Sequence, residues 1–160
     1  MTNGNAQEME WRHRVEDARR HFAGELSKLS AQDWGNLVAQ AETRKYHHNE
    51  VLLAQGFVGA GLFMIAAGEV RVERSSHATT AQLARLGPGA VIGEISFLDR
   101  SDAGASASVI ADGEVEALNV DRAKLNALIH TDPGFAVRFY HSLAMMLSRR
   151  LRATNELIVP

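Results

Sequence analysis

Between residues 43 and 120 the chain never runs far without a turn signal, and this punctuation limits what it can fold into. Residues 51–53 form a short apolar stretch before Gly56. Residues 62–65 lead to Gly68-Glu69, which the pattern predicts as a hairpin turn, with Val70, Val72 and Arg74 on the return strand. Residues 82–86 end at Gly87-Pro88-Gly89, and residues 106–110 and 114–120 flank Asp112-Gly113, the strongest short hairpin signal in the chain. Many short strands at close spacing predict a β-sandwich or barrel.

Both flanks have a helical texture instead. Residues 2–5 are polar and expected to fray. Trp11, Val15, Ala18, Phe22, Leu26 and Leu29 then recur at three- and four-residue steps, which predicts one face of a helix. Ser30 and Asp33 have capping-box spacing before a second helix, whose inner face would carry Trp34, Leu37, Val38 and Ala41. After the strand region, Asp121 can cap a short helix containing Leu125, Leu128 and Ile129. Thr131-Asp132-Pro133 then starts a long helix reaching about Ile158. Along it Ala136, Tyr140, Leu143, Leu147, Leu151, Thr154 and Ile158 form an apolar stripe, widened by Phe139 and Met146.

Bulk properties narrow the function classes. A chain of 160 residues, 46% hydrophobic, can bury one ordinary core. Net charge is −2, which gives no global pull toward nucleic acid or an anionic membrane. There is no cysteine, so disulfides, thiolate catalysis and cysteine-ligated metals are excluded. The first residues lack an apolar signal core, and no apolar run approaches the roughly 20 residues needed to cross a bilayer. A soluble cytoplasmic protein is the expectation.

Two helices, a run of short strands, then a short and a long helix: this order resembles the cyclic-nucleotide-binding domain of the bacterial catabolite-activator (Crp/Fnr) superfamily. Gly56 and residues 62–72 look like that family's first hairpin. The run 86–98, with Gly93-Glu94-Ile95-Ser96, resembles the approach to its phosphate-binding cassette, and residues 105–109 sit where the cassette ends. Residues 147–155 resemble the start of its dimer helix. The match spans about residues 30 to 158. It implies a mainly β jelly-roll barrel (a double-stranded β-helix) with two N-terminal helices, a short helix and a long C-terminal dimer helix. Segment 1–29 would be an N-terminal helical extension, and 30–160 the cyclic-nucleotide-binding-like domain.

The resemblance also implies a site. Gly93 would let the backbone approach a ligand, as only a residue without Cβ can. A short helix starting near Glu94 would aim the amides of Ile95 and Ser96 at an anion. Glu94 would accept from the ribose 2′-hydroxyl, Ser106 would donate to the phosphate, and Ala107 would keep the wall thin. Where the family has a phosphate-forking arginine, this chain has Ala105. Hydrogen bonds to charged groups contribute about 1.5–3 kcal/mol each, so binding without it should weaken roughly ten-fold to more than a hundred-fold. Arg100, in the loop 99–104, is either a substitute folded into the pocket or a surface partner of Asp99 or Asp102.

The remaining features read as bland. Seven histidines show no metal-ligand spacing, and His47 and His48 are adjacent, so on a strand they point to opposite faces. No metal or cofactor is expected. Arg149, Arg150 and Arg152 read as the solvated face of a helix. No Gly-x-Ser-x-Gly elbow accompanies Ser96, Ser106 or Ser108, so an enzyme is not expected. The sequence ends at Pro160 just after the dimer-helix match, so no recognition helix and no direct DNA binding are expected. The inner part of the long helix, with Phe139 and Leu143, is expected to pack on the barrel, while its later half predicts an exposed seam and a homodimer, with Tyr140, Leu143, Leu147, Leu151, Thr154 and Ile158 named for the interface. Two functions compete: a stand-alone sensor of cyclic AMP, cyclic GMP or a similar anion that signals to a partner protein, and a degenerate dimerisation or scaffold domain without a ligand.

Overall fold

The structure, a computed structural model, describes residues 3–99 and 103–158. Helix α1 (Asn3–Phe22) and helix α2 (Ala31–Gln40) lead into six strands: β1 (Glu42–Tyr46), β2 (Val51–Leu53), β3 (Leu62–Ser75), β4 (Thr80–Leu86), β5 (Val91–Ile92) and β6 (Ser108–Val120). Helix α3 (Glu94–Leu98) sits between β5 and β6, and α4 (Arg122–Thr131) and α5 (Pro133–Ile158) close the chain. All the strands belong to one antiparallel sheet of order β1-β6-β3-β4, with β2 also paired to β6 and β5 to β3. The fold is mainly β with flanking helices, as the sequence predicts.

The two hairpins expected at Gly68-Glu69 and Asp112-Gly113 do not exist. β3 and β6 run straight through these positions and pair with each other along both halves, from Leu62↔Val120 to Glu73↔Ser108. Gly68 (φ +84) and Gly113 (φ +94) do have the positive φ a hairpin turn demands, but they use it for bulges. A Cβ on Gly68 would lie 2.1 Å from the Glu114 carbonyl oxygen, so the strands can cross closely only with glycine there. A tight turn that does form joins β3 to β4, where Ser76 N–H donates to Thr79 O at 2.9 Å.

Helix starts follow their local chemistry. Ser30 caps α2 through the Asp33 amide, and the Asp33 carboxylate accepts from the Ser30 amide at 2.8 Å, completing the capping box. The Asp33 carboxylate also accepts from Nε and Nη2 of Arg138 on α5, and this pairing holds its carboxyl below the usual carboxylate range. Asp121 caps α4 through the Lys124 amide, and Asp132 accepts from Phe135 N–H ahead of α5.

Two cores result. One lies within the sheet, around Ile65, Val70, Ala111, Val115 and Ala117. The other joins the helices to the sheet and contains Phe22, Leu26, Trp34, Leu37, Met64, Phe135, Phe139, Leu143 and Met146. The predicted first helix is shorter than its apolar periodicity: it ends at Phe22, and Leu26 and Leu29 are buried from the turn that follows. Hence the segment before residue 30 contributes core side chains. Phe22→Ala should cost about 3–5 kcal/mol in urea denaturation; a loss near zero would mean that α1 only lies on the surface.

Candidate functional site

β5 delivers the chain to Gly93, which takes φ +94 and begins α3 without a side-chain cap. Sequence reasoning assigned this glycine to ligand approach. The structure gives it a prior duty: a Cβ here would lie 2.3 Å from the Gly61 carbonyl oxygen, so backbone packing alone requires glycine. Helix α3 is then fixed beneath α5 by Phe97, which packs edge-on to Phe139 (5.8 Å) and stacks on Tyr140 (6.5 Å). Arg122 secures its other side, donating to Ser96 O at 3.0 Å with its guanidinium over the Phe97 ring.

A cavity of about 440 Å³ opens between α3 and the outer half of α5, within the range of small-molecule sites. Gly93, Glu94, Ile95, Ser96, Ser106 and Ala107, all named from sequence, line it together. Val72 and Leu83 from the β3–β4 hairpin give it an apolar wall, and α5 contributes Arg150, Ala153 and Thr154. Ser106 is exposed toward solvent, while Glu94 and Ser96 are buried. Ala105 does not line the cavity. It is buried in the sheet core, its N–H donates to Phe57 O, and its carbonyl accepts from Gly56 N–H. Arg100 lies outside the described residues.

Glu94 is the electrostatic centre. The residue is 4% exposed, and its carboxylate accepts a short hydrogen bond from Arg150, which also donates to Val91 O at 2.7 Å and lies 3.7 Å from a Glu25 carboxylate oxygen. Burial pushes the Glu94 carboxyl above its usual range, against the opposing pull of Arg150. Arg150 is the functional residue the sequence reading missed, since it placed all three nearby arginines on a solvated face. Arg149 and Arg152 are exposed as that reading has them, Arg149 also donating to Gly24 O at 2.8 Å. A signal existed: Arg150 lies four residues beyond Met146 and seven beyond Leu143, on the buried face.

The dimer stripe is corrected by the same shift in phase. Leu143 is fully buried with Phe139, as expected of the inner part of the helix, and so leaves the dimer face, while Tyr140 packs on Phe97. Thr154 lines the cavity and donates to Arg150 O at 3.0 Å. Leu147 is half-buried, whereas Leu151 and Ile158 are exposed, together with Leu157. Among the described residues no cluster of His, Cys, Asp or Glu could hold a metal, and no helix is long and apolar enough to cross a membrane.

A sheet of this order, with a short helix feeding a cavity roofed by a long C-terminal helix, defines a cyclic-nucleotide-binding domain. The profile of the cyclic nucleotide-binding domain family matches residues 43–132, and the chain belongs to that family. It is 38% identical over 115 residues to a cyclic AMP receptor protein of Thermus thermophilus, covering 71% of this chain and 50% of that protein. Similarity to a glutaminase 2 of Bradyrhizobium diazoefficiens is 32% over 130 residues, 81% of this chain and 20% of that protein. The chain thus spans half or less of these two curated relatives. A cyclic nucleotide-binding domain from Methylobacillus flagellatus shares the fold, with a TM-score of 0.78 at 23% identity over 92% of this chain and 83% of that one.

Removing Arg150 should expose the cost of burying Glu94. A raised folded value means that Glu94's contribution to stability is complete below the unfolded value of about 4.5 and is lost as pH rises through the folded value. Arg150→Gln removes the downward pull, so this loss grows. Thermal melts should show the variant close to wild type near pH 4 and less stable by about 1–3 kcal/mol near pH 7. An equal deficit at both pH values would contradict the pairing.

Proposed function

We propose that the chain is a cytoplasmic regulatory module that binds a cyclic nucleotide or a related anion in the cassette cavity and passes its occupancy to a partner protein. The observation that carries this reading is the convergence of Glu94, Ser96, Ser106 and Arg150 on one cavity. The Ser106 hydroxyl and the amides opening α3 would face the phosphate, and Glu94 the ribose. Among the described residues lining the cavity Arg150 is the one cation, so it stands in for the arginine absent at Ala105. It is already engaged with Glu94, and a phosphate would have to share it. Binding is therefore weaker than in an arginine-bearing cassette by roughly ten-fold or more. The role is binding, without catalysis.

Calorimetric titration with cyclic AMP, cyclic GMP and a cyclic dinucleotide tests this. Saturable heat is expected for at least one, and Ser106→Ala should weaken it about ten-fold without affecting stability, since Ser106 is exposed. No response to any of the three at about 1 mM would leave the second reading, a scaffold without ligand, which the buried Ala105 favours.

The outer end of α5 is the proposed dimer seam. Leu151, Leu157 and Ile158 are exposed large apolar side chains on a helix that a second copy could cover by two-fold pairing. Sedimentation velocity should show a dimer that Leu151→Glu with Leu157→Glu converts to monomer. A wild-type monomer at about 100 μM would overturn the seam.

A further inference from the structure

The turn after α1 brings a second carboxylate to the cassette arginine. Glu25 Oε2 lies 3.7 Å from Arg150 Nη2, too far for a hydrogen bond but close for two opposite charges. That oxygen is buried and has no hydrogen-bond partner among the described residues. A dry charged oxygen without a hydrogen bond is costly, and here the Arg150 charge offsets it. The neighbouring arginine keeps the turn in place: Arg149 donates to the carbonyls of Gly24 at 2.8 Å and Glu25 at 3.3 Å.

Glu25 reaches Arg150 from outside the cavity, which it does not line. The charged lining of the cavity is Glu94 and Arg150, and its other polar side chains, Ser96, Ser106 and Thr154, are neutral. Arg122, the cation on the far side of α3, is committed to Ser96 O and the Phe97 ring. One guanidinium therefore serves two carboxylates, and with both ionised the site carries an excess negative charge. Its donors are already assigned, Nη1 to Glu94 and Nη2 to Val91 O. An entering phosphate meets the repulsion of Glu25 as well as a guanidinium drawn toward other acceptors. Burial above all raises the Glu94 carboxyl, and the Glu25 charge pushes the same way.

We propose that Glu25 is a built-in rival of the ligand: it draws Arg150 away from Glu94 and from an entering phosphate, and so holds the anion affinity of the cassette low. Glu25 acts through Arg150, which makes it a positioning residue. Its effect on affinity rests on the cassette being an anion site, as proposed above; its hold on Arg150 does not.

The first test needs no ligand. In the full chain with ¹³C-labelled glutamate carboxyls, Glu25→Gln should lower the pH at which Glu94 titrates by about 0.5 or more, because a like charge is gone and Arg150 is released to Glu94. A merely structural role for Glu25 would leave that titration in place. Glu25→Ala removes the same charge without leaving an amide and should act alike. The second test is calorimetric titration with cyclic AMP and cyclic GMP. Whichever binds the wild type should bind Glu25→Gln at least about three-fold more tightly, and the gain should shrink in about 0.5 M salt. A Glu94 midpoint that stays or rises in both variants overturns the proposal, as does equal or weaker nucleotide binding by Glu25→Gln. If neither nucleotide binds either protein, the functional reading fails, and the ligand-free titration alone decides whether Glu25 holds Arg150.

Discussion

Everything in this molecule depends on the pairing of β3 with β6. They are the two longest strands, and between them they pair with all the others. Each is bent, so its two halves serve different surroundings: the start of β3 and the end of β6 put Leu62, Met64 and Val120 into the helix core, while Val70, Val109 and Ala111 fill the sheet core. The bend is possible because Gly68 lets β6 pass where any Cβ would strike the Glu114 carbonyl. A second glycine contact, Gly61 against Gly93, sets where β5 ends and α3 begins.

Helix α5 connects this scaffold to the site. Its inner face packs Phe135, Phe139, Leu143 and Met146, then continues as Arg150 and Thr154 over the cavity. Core and site thus lie on one helical stripe. The Glu94–Arg150 pair ties the two together, and Arg150 also lies close to Glu25 in the turn after α1. Any ligand that competes for Arg150 changes what α5 and that turn hold on to.

Local chemistry was legible where a residue acts on its neighbours. The Ser30–Asp33 capping box, the Asp121 cap and the Asp132-Pro133 start all form as their spacing predicts, because caps satisfy amides two or three residues away. The two supposed hairpins failed for the complementary reason. A glycine with positive φ serves a turn or a bulge equally well, and only the partner strand decides between them. The stripe on α5 was drawn one position out of phase, since apolar residues occupy adjacent faces and the sequence does not say which one meets the sheet.

The sequence by itself determined the element order and the helix starts, since these rest on contacts close along the chain; the cassette of Gly93, Glu94, Ser96 and Ser106 came from family resemblance. Tertiary structure alone decided the rest. It buried Ala105, brought Arg150 across 56 residues to Glu94, and set Glu25 beside the same guanidinium. These are long-range outcomes of packing α5 and β6 against distant segments, and no local spacing encodes them.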